Sequence, residues 1–153
     1  MVERSTLLFV AMLCAGIGAG SGYTTFFAFN PAGESAASWL AHLQRGVPRI
    51  GIALFVVQPL AFLSMLALAV LMRGDRPSFW FVCAACAAML AGALVTRVVH
   101  IPINQRLQTW SASELPGTLE ALRQRWWTWH VVRVAALLTS FAALILAALT
   151  RRI

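Results

Sequence analysis

Two pairs of side chains suited to acid–base chemistry stand three residues apart at the edges of apolar stretches. Arg97 and His100 occur in "TRVVHIPINQRL" (96–107), and His130 and Arg133 occur in the reverse order in "WWTWHVVRV" (126–134). A histidine can take up a proton near neutral pH, and an arginine stays charged and stabilises anions. Asn104 adds a hydrogen-bonding amide nearby. These types predict a catalytic site that abstracts a proton and stabilises the resulting anion.

The stretches that carry these pairs are long enough to cross a membrane. Of 153 residues, 60% are apolar and 11% are charged, whereas soluble domains have about 25% charged residues. Residues 5–33, 50–72, 77–96 and 134–150 contain no Asp, Glu, Lys or Arg, and a spanning helix needs roughly 20 apolar residues. We therefore predict one all-α transmembrane domain over residues 1–153, an antiparallel up-down four-helix bundle with spans at about 5–29, 49–72, 78–100 and 124–150.

An antiparallel bundle brings the two pairs to one end. Residues three apart share a helix face, so Arg97 is expected level with Arg133 and His100 level with His130, all pointing inward. The connections 30–48 and 101–125 lie at the same end and are predicted to build one polar face. Aromatic faces can hold a flat ring by stacking. The candidate substrate-binding residues are Trp126, Trp129, Tyr23 and Gln58.

The positions of glycine and proline allow two further predictions, one about helix packing and one about the end of the third helix. The first span contains "AGIGAGSG", with Gly16, Gly18, Gly20 and Gly22. Small residues four apart let a neighbouring helix approach closely, so this stripe is interpreted as a packing face. Pro102 is expected to stop or bend the third helix one or two residues earlier, because proline disfavours helical geometry in the residue before it.

Three stretches resemble the anthrone oxygenase-like family of small four-helix membrane proteins. "AGIGAGSGYTTFFAFNPA" (15–32) is similar to its glycine-rich first helix, which continues through aromatics to a Pro-Ala. "HIPINQRL" (100–107) is similar to its Pro-x-Asn-x-x-Leu segment, and "WWTWHVVR" (126–133) to its Trp-rich start of the fourth helix. The resemblance implies oxygenation of an anthrone to an anthraquinone, with dioxygen as co-substrate and without a flavin or haem. That family often has asparagine at the positions of His100 and His130.

Other interpretations of the same residues remain open at this point. His42, His100 and His130 are expected at one end of the bundle and form a candidate metal site for copper or iron, since three imidazoles are a common ligand set. Cys83 and Cys86 in "CAAC" are a weaker redox candidate, because a thiol must ionise to react and these lie in an apolar helix. A non-catalytic scaffold or accessory subunit, which binds lipid or a partner protein, is the third alternative.

The positions of the charged residues indicate which partners the protein has and how it is oriented in the membrane. The pI of about 11.3 reflects arginines at span ends, where they meet lipid headgroups, so the partner is the bilayer and not nucleic acid. A small aromatic substrate, a homo-oligomer or a larger membrane complex are the other expected partners. Arginines at one end of the bundle favour a plasma-membrane, multi-pass chain with both termini cytoplasmic: Arg4, Arg73, Arg76, Arg151 and Arg152. The chain has twelve arginines and no lysine, and it is rich in alanine; this composition suggests a bacterial source.

Overall fold

The computed structural model describes residues 2–111 and 115–150. The helices are α1 (Val2–Ala28), α2 (Ala36–Leu71), α3 (Arg76–Val95), α4 (Ile101–Gln108) and α5 (Leu119–Thr150), and a π-helical segment, Thr96–His100, joins α3 to α4. Helix α3, the π segment and α4 form one continuous helix, called the third helix below. Together with α1, α2 and α5 this makes four helices in the described ranges that are long and apolar enough to cross a membrane. The predicted all-α membrane four-helix bundle is confirmed.

Helix α2 begins much earlier than predicted. Residues 36–48 were expected to be mostly connection, yet α2 is helical throughout its 36 residues. Ser35 caps it by accepting a hydrogen bond from the Ser38 backbone N–H at 3.2 Å, and Trp39, Leu40 and Leu43 form a fully buried stripe on its first turns. A helix of this length is about 54 Å long and exceeds the roughly 30 Å hydrocarbon core of a bilayer. The first turns of α2 therefore extend towards the headgroups.

The third helix does not end before Pro102. Instead, its geometry changes over Thr96–His100, where the Ile101 N–H bonds to the Thr96 carbonyl, five residues back. Proline lacks an N–H and its ring crowds the carbonyl four residues earlier. The wider π turn accommodates this disturbance, and α-helix resumes as α4. Such insertions change which side chains share a helix face.

The glycine stripe of α1 packs mainly against α5. A Cβ atom at Gly16 would lie 3.2 Å from the Phe141 ring, and one at Gly22 would lie 3.4 Å from Leu137. Gly16 therefore permits the close approach that was predicted, whereas a Cβ at Gly22 would make an ordinary van der Waals contact. Gly20 does not take part, because a Cβ there would meet nothing within 4 Å.

Two apolar clusters divide the bundle along its length. The larger cluster fills the end that carries the α2–α3 turn, and its largest fully buried members are Met65, Leu68, Met72, Val82 and Leu144. The smaller cluster fills the opposite end and is built around Trp39, Leu40, Leu43, Leu107 and Trp126. Thr25, His130 and Arg133 lie between the two along their helices, whereas His100 and Asn104 lie among the residues of the smaller cluster.

Candidate active site

A cavity of about 640 Å³ lies between the four helices. Most of its wall is apolar and comes from residues 47–62 of α2 and from residues 89–101, which belong to α3, the π segment and the first residue of α4. The polar lining side chains are Thr25, Gln58, Thr96, His100, Asn104 and Arg133. An apolar chamber with a few convergent polar groups is the usual form of a small-molecule site.

His130 is held by hydrogen bonds at both ring nitrogens. Arg133 Nη2 lies 3.0 Å from His130 Nδ1, and His130 Nε2 lies 3.3 Å from Thr25 Oγ1. Thr25 in turn donates to the carbonyls of Ser21 and Gly22, both at 2.9 Å. Because arginine only donates, Nδ1 must accept and the ring hydrogen must sit on Nε2, where it is donated to Thr25. The network defines one neutral tautomer and leaves His130 no free lone pair.

His100 has the opposite environment. Its side chain is 1% exposed, and within the described residues no side chain hydrogen-bonds to either ring nitrogen, although the backbone of Val95 and Trp126 lies close to the ring. Its ring contacts Trp126 and His130 edge-on, with centroids 5.2 Å and 6.0 Å away. Buried polar nitrogens are nearly always hydrogen-bonded, so an imidazole in the cavity lining without a side-chain partner is a candidate for contact with a ligand.

Trp126 organises the centre of the site. Its ring stacks on His130 with centroids 4.7 Å apart and planes 13° from parallel, and its Nε1 donates to Asn104 Oδ1 at 2.8 Å. Since the indole N–H is donor-only, it fixes which end of the Asn104 amide it meets. The NH₂ group of Asn104 remains as a donor at the cavity wall.

Arg133 carries a positive charge with no carboxylate partner in the described part of the chain. Glu34 contacts His42 and Glu120 pairs with Arg123, and neither carboxylate is a partner of Arg133. The Nε of Arg133 is buried and unpartnered, and the cationic guanidinium lines the cavity. A buried charge is costly unless it is paired, so the cavity is electrostatically suited to an anion.

A comparison of the chain with protein families identifies its relatives. The sequence profile of the family described as "Anthrone oxygenase" matches residues 50–143, which contain Asn104, Trp126 and both Arg/His pairs. The chain belongs to the anthrone oxygenase family. No curated protein and no solved structure matches it. The matched range begins within α2, so α1 and its Thr25 lie outside the part by which this anthrone oxygenase family member is recognised.

Arg97, one of the predicted catalytic residues, is not brought to the site. Its side chain is exposed and does not line the cavity, so the expectation that both arginines point inward is wrong for Arg97. The expectation assumed α-helical spacing, but Arg97 and His100 belong to the π segment. A π turn contains more residues than an α turn, so residues three apart no longer share a face. The pair on α5, which has regular helical spacing, does point inward.

The candidate substrate-binding residues separate into two groups. Trp126 and Gln58 line the cavity of this anthrone oxygenase family member. Tyr23 and Trp129 are 54% and 39% exposed and lie outside the lining. In the bundle they face outward, as aromatic residues at a membrane edge commonly do.

The three histidines do not form one cluster. His42 lies on the outer part of α2, is exposed, and has its Nδ1 2.6 Å from Glu34 Oε1. Across residues 2–111 and 115–150, no three His, Cys, Asp or Glu side chains are grouped so as to hold a metal ion. The described residues therefore do not supply the predicted three-histidine ligand set.

Two residues of the site region were missed in the sequence. Thr25 lies one turn before the end of α1, at the same depth in the bundle as His130. This position along the span is the one signal in the sequence that could have identified Thr25 as a partner of His130. Arg123 is buried and donates to the backbone carbonyls of Pro31 and Glu34, the latter at 3.0 Å. It lies three residues before Trp126 and seven before His130, and this helical spacing places all three on the inner face of α5. Arg123 thereby fastens the α1–α2 connection over the site.

Proposed function

We propose that this protein is a membrane oxygenase that oxidises a small apolar aromatic compound of the anthrone or hydroquinone type with dioxygen. The observation that carries the proposal is that one cavity contains both a candidate base and a candidate anion stabiliser. His100 offers an imidazole without a side-chain hydrogen bond, and Arg133 offers a cation without a carboxylate partner among the described residues. A base and an anion stabiliser are the two groups that oxidation of an acidic phenol or methylene requires.

The first step is proton abstraction by His100. For an anthrone-like substrate, a ring nitrogen of His100 takes a proton from the methylene carbon, and the electron pair delocalises onto the carbonyl oxygen as an enolate. Arg133 stabilises that oxygen, because its guanidinium is charged in every state of the reaction. The NH₂ of Asn104, positioned by the Trp126 indole, is a second donor. These groups are preorganised, so little reorganisation is needed as the charge develops.

The second step consumes dioxygen as co-substrate. The electron-rich carbon forms a bond to dioxygen, and the imidazolium of His100 returns its proton to the outer oxygen to give a hydroperoxide. Loss of water breaks the O–O bond and releases the remaining hydrogen of that carbon, which becomes a carbonyl. Overall, methylene plus dioxygen yields ketone plus water. The base and the anion stabiliser act in both halves of the reaction.

His130 takes a positioning role in this scheme. Both of its nitrogens are engaged, one by Arg133 and one by Thr25, so it is not available as the base. Its hydrogen bond instead aims the Arg133 guanidinium. The stacked Trp126 ring holds the imidazole in the plane that this bond requires.

We also propose that both termini face the cytoplasm of a plasma-membrane protein. Arg4, Arg73 and Arg76 lie at the end of the bundle opposite the site, and cytoplasmic ends carry the excess of arginine. Arg151 and Arg152, which entered the same prediction, lie outside the described residues. A periplasmic reporter enzyme fused at the α2–α3 turn should be inactive, and an active one would reverse the orientation.

The function is tested by oxygen uptake with an anthrone phenol such as 1,8-dihydroxyanthrone. Purified protein in lipid nanodiscs should accelerate oxygen consumption and anthraquinone formation over the spontaneous reaction. With isotopically labelled dioxygen, the quinone should gain one labelled oxygen and the other should appear in water. The His100→Ala protein in identical nanodiscs is the control. If both proteins match the empty-nanodisc rate, the oxygenase proposal fails and a non-catalytic scaffold is favoured.

A further inference from the structure

The mouth of the cavity lies on the lipid-facing side of the bundle, between α2 and α3. Six of its lining residues are also exposed, namely Pro48, Gly51, Phe55, Pro59, Leu90 and Ala93. Phe55 is 82% exposed. All except Pro48 lie in the uncharged stretches 50–72 and 77–96, and α2 packs against α3 less extensively than α5 does. The opening is therefore flanked by apolar groups at membrane depth.

The interior of the cavity is polar, in contrast to its apolar mouth. The lining residues contributed by the π segment, α4 and α5 include His100, Asn104 and Arg133, of which His100 is buried and the other two are partly buried. From the mouth inward, the chamber thus changes from apolar side chains to hydrogen-bond donors and a cation. A molecule that fits this gradient has an acidic oxygen at one end and an apolar body at the other.

We propose that the substrate enters sideways from the bilayer through the α2–α3 gap, as a neutral amphiphile whose acidic C–H or O–H group leads. This inference rests on the proposed function for its chemistry. A molecule crossing apolar lipid must be uncharged, so the anion forms only inside, where His100 removes the proton and Arg133 balances the charge. The substrate class is then a membrane-dissolved phenol or enolisable ketone. Apolar substituents are accepted at the end that faces Phe55 and Leu90, and charged ones there are rejected.

The route can be tested without any turnover. Thr96 lines the cavity, and a Thr96→Cys variant places a thiol there with little change in volume. The protein in nanodiscs is treated with an apolar maleimide, N-pyrenylmaleimide, or with a membrane-impermeant sulfonated maleimide, and labelling is resolved by peptide mass spectrometry. Cys83 and Cys86, which do not line the cavity, serve as reference thiols in the same molecule. We expect the apolar reagent to label position 96 and the sulfonated reagent to leave it unmodified.

Bulky residues at the mouth provide the decisive comparison. A Cβ at Gly51 would meet nothing within 4 Å, so Gly51→Trp can project into the gap without disturbing packing, and Ala93→Trp narrows it from α3. Each should slow apolar labelling at position 96 about tenfold or more, equivalent to about 1.4 kcal/mol of added barrier. The matched controls are Gly20→Trp, whose Cβ also meets nothing, and Ala87→Trp, which is exposed on α3 outside the cavity.

Each outcome decides the inference. Equal labelling by both reagents would show a water-filled entrance, and no labelling by either would show a closed one. Unchanged labelling in both mouth variants would show that molecules enter elsewhere. Any of these overturns lateral entry while leaving oxygen uptake to decide the proposed function. Conversely, lipid-side labelling without anthrone oxidation would retain the entrance and remove the oxygenase.

Discussion

Arg133 donates a hydrogen bond from Nη2 to Nδ1 of His130 across 3.0 Å. This contact separates the roles of two histidines that the sequence leaves equivalent. It occupies the lone pair that a base would need on His130, and it holds a charged group at the cavity wall. His100, six ångströms away by ring centroid, has no side-chain hydrogen bond within the described residues, and we propose it as the residue that exchanges a proton with the substrate.

Replacing His100 should abolish most of the activity without unfolding the protein. His100→Gln keeps a similar volume but removes the basic nitrogen, and loss of a general base typically costs about 100-fold to 10,000-fold in rate. Anthrone-dependent oxygen uptake measures the effect. His42→Gln is the matched control, because that histidine is exposed and paired with Glu34, and it should remain close to wild type. Equal activity losses in the two variants would contradict the assignment.

The two arginines should respond very differently to the same substitution. Arg133→Gln removes the cation that faces the cavity and should lower kcat by about 100-fold, in the range found when an oxyanion-stabilising donor is lost. Arg97→Gln changes an exposed side chain outside the cavity and should have little effect on kcat. Arg133→Lys should fall between, since a point charge cannot reproduce the planar guanidinium geometry. A larger kcat loss for Arg97→Gln would show that the π segment rearranges in the working enzyme.

If His130 only positions Arg133, another side chain that accepts a hydrogen bond from Arg133 should restore the activity lost when His130 is replaced. His130→Leu leaves Arg133 and Thr25 without their partner and should reduce both kcat and the free energy of unfolding, the latter by about 1–3 kcal/mol. His130→Gln can still accept from Arg133 through its carbonyl oxygen and should recover much of kcat. If glutamine is no better than leucine, His130 itself takes part in proton transfer.

Arg123 should matter for stability and not for chemistry. Arg123→Gln removes the donor to the Pro31 and Glu34 carbonyls and should lower the free energy of unfolding by about 2 kcal/mol, because buried acceptors are left unsatisfied. Arg125→Gln, two residues further along α5 and exposed, is the matched control and should be near neutral. Denaturant titration in detergent reports the difference. Below the unfolding transition, kcat per folded molecule should be unchanged in both variants.

Metal analysis addresses the alternative based on three histidines. Since no three-ligand group occurs among the described residues, we expect purified protein to lack stoichiometric copper or iron and to retain oxygen uptake after chelator treatment. Mass spectrometry of wild type, His100→Ala and His130→Ala provides the measurement. Stoichiometric metal that disappears in both variants would replace the acid–base scheme with a metal-dependent one.

Much of the bundle could be predicted because apolar length is a local property. Uncharged stretches of membrane-spanning length indicate helices wherever they occur, and antiparallel connectivity then places His100 beside His130. The limits of these helices were less predictable. The early start of α2 depends on Trp39, Leu40 and Leu43 finding a buried cluster at the end of the bundle, and that cluster is formed by residues distant in the chain.

The sequence by itself determined the spans, the end of the bundle that carries the polar groups, and the residue types available for acid–base chemistry. Only the tertiary structure decided which of those groups act together. A π turn ahead of Pro102 rotates Arg97 outward, and Thr25 from α1 completes the hydrogen bonds of His130. Both outcomes depend on backbone geometry and on contacts between separate helices, and neither follows from regular helical spacing.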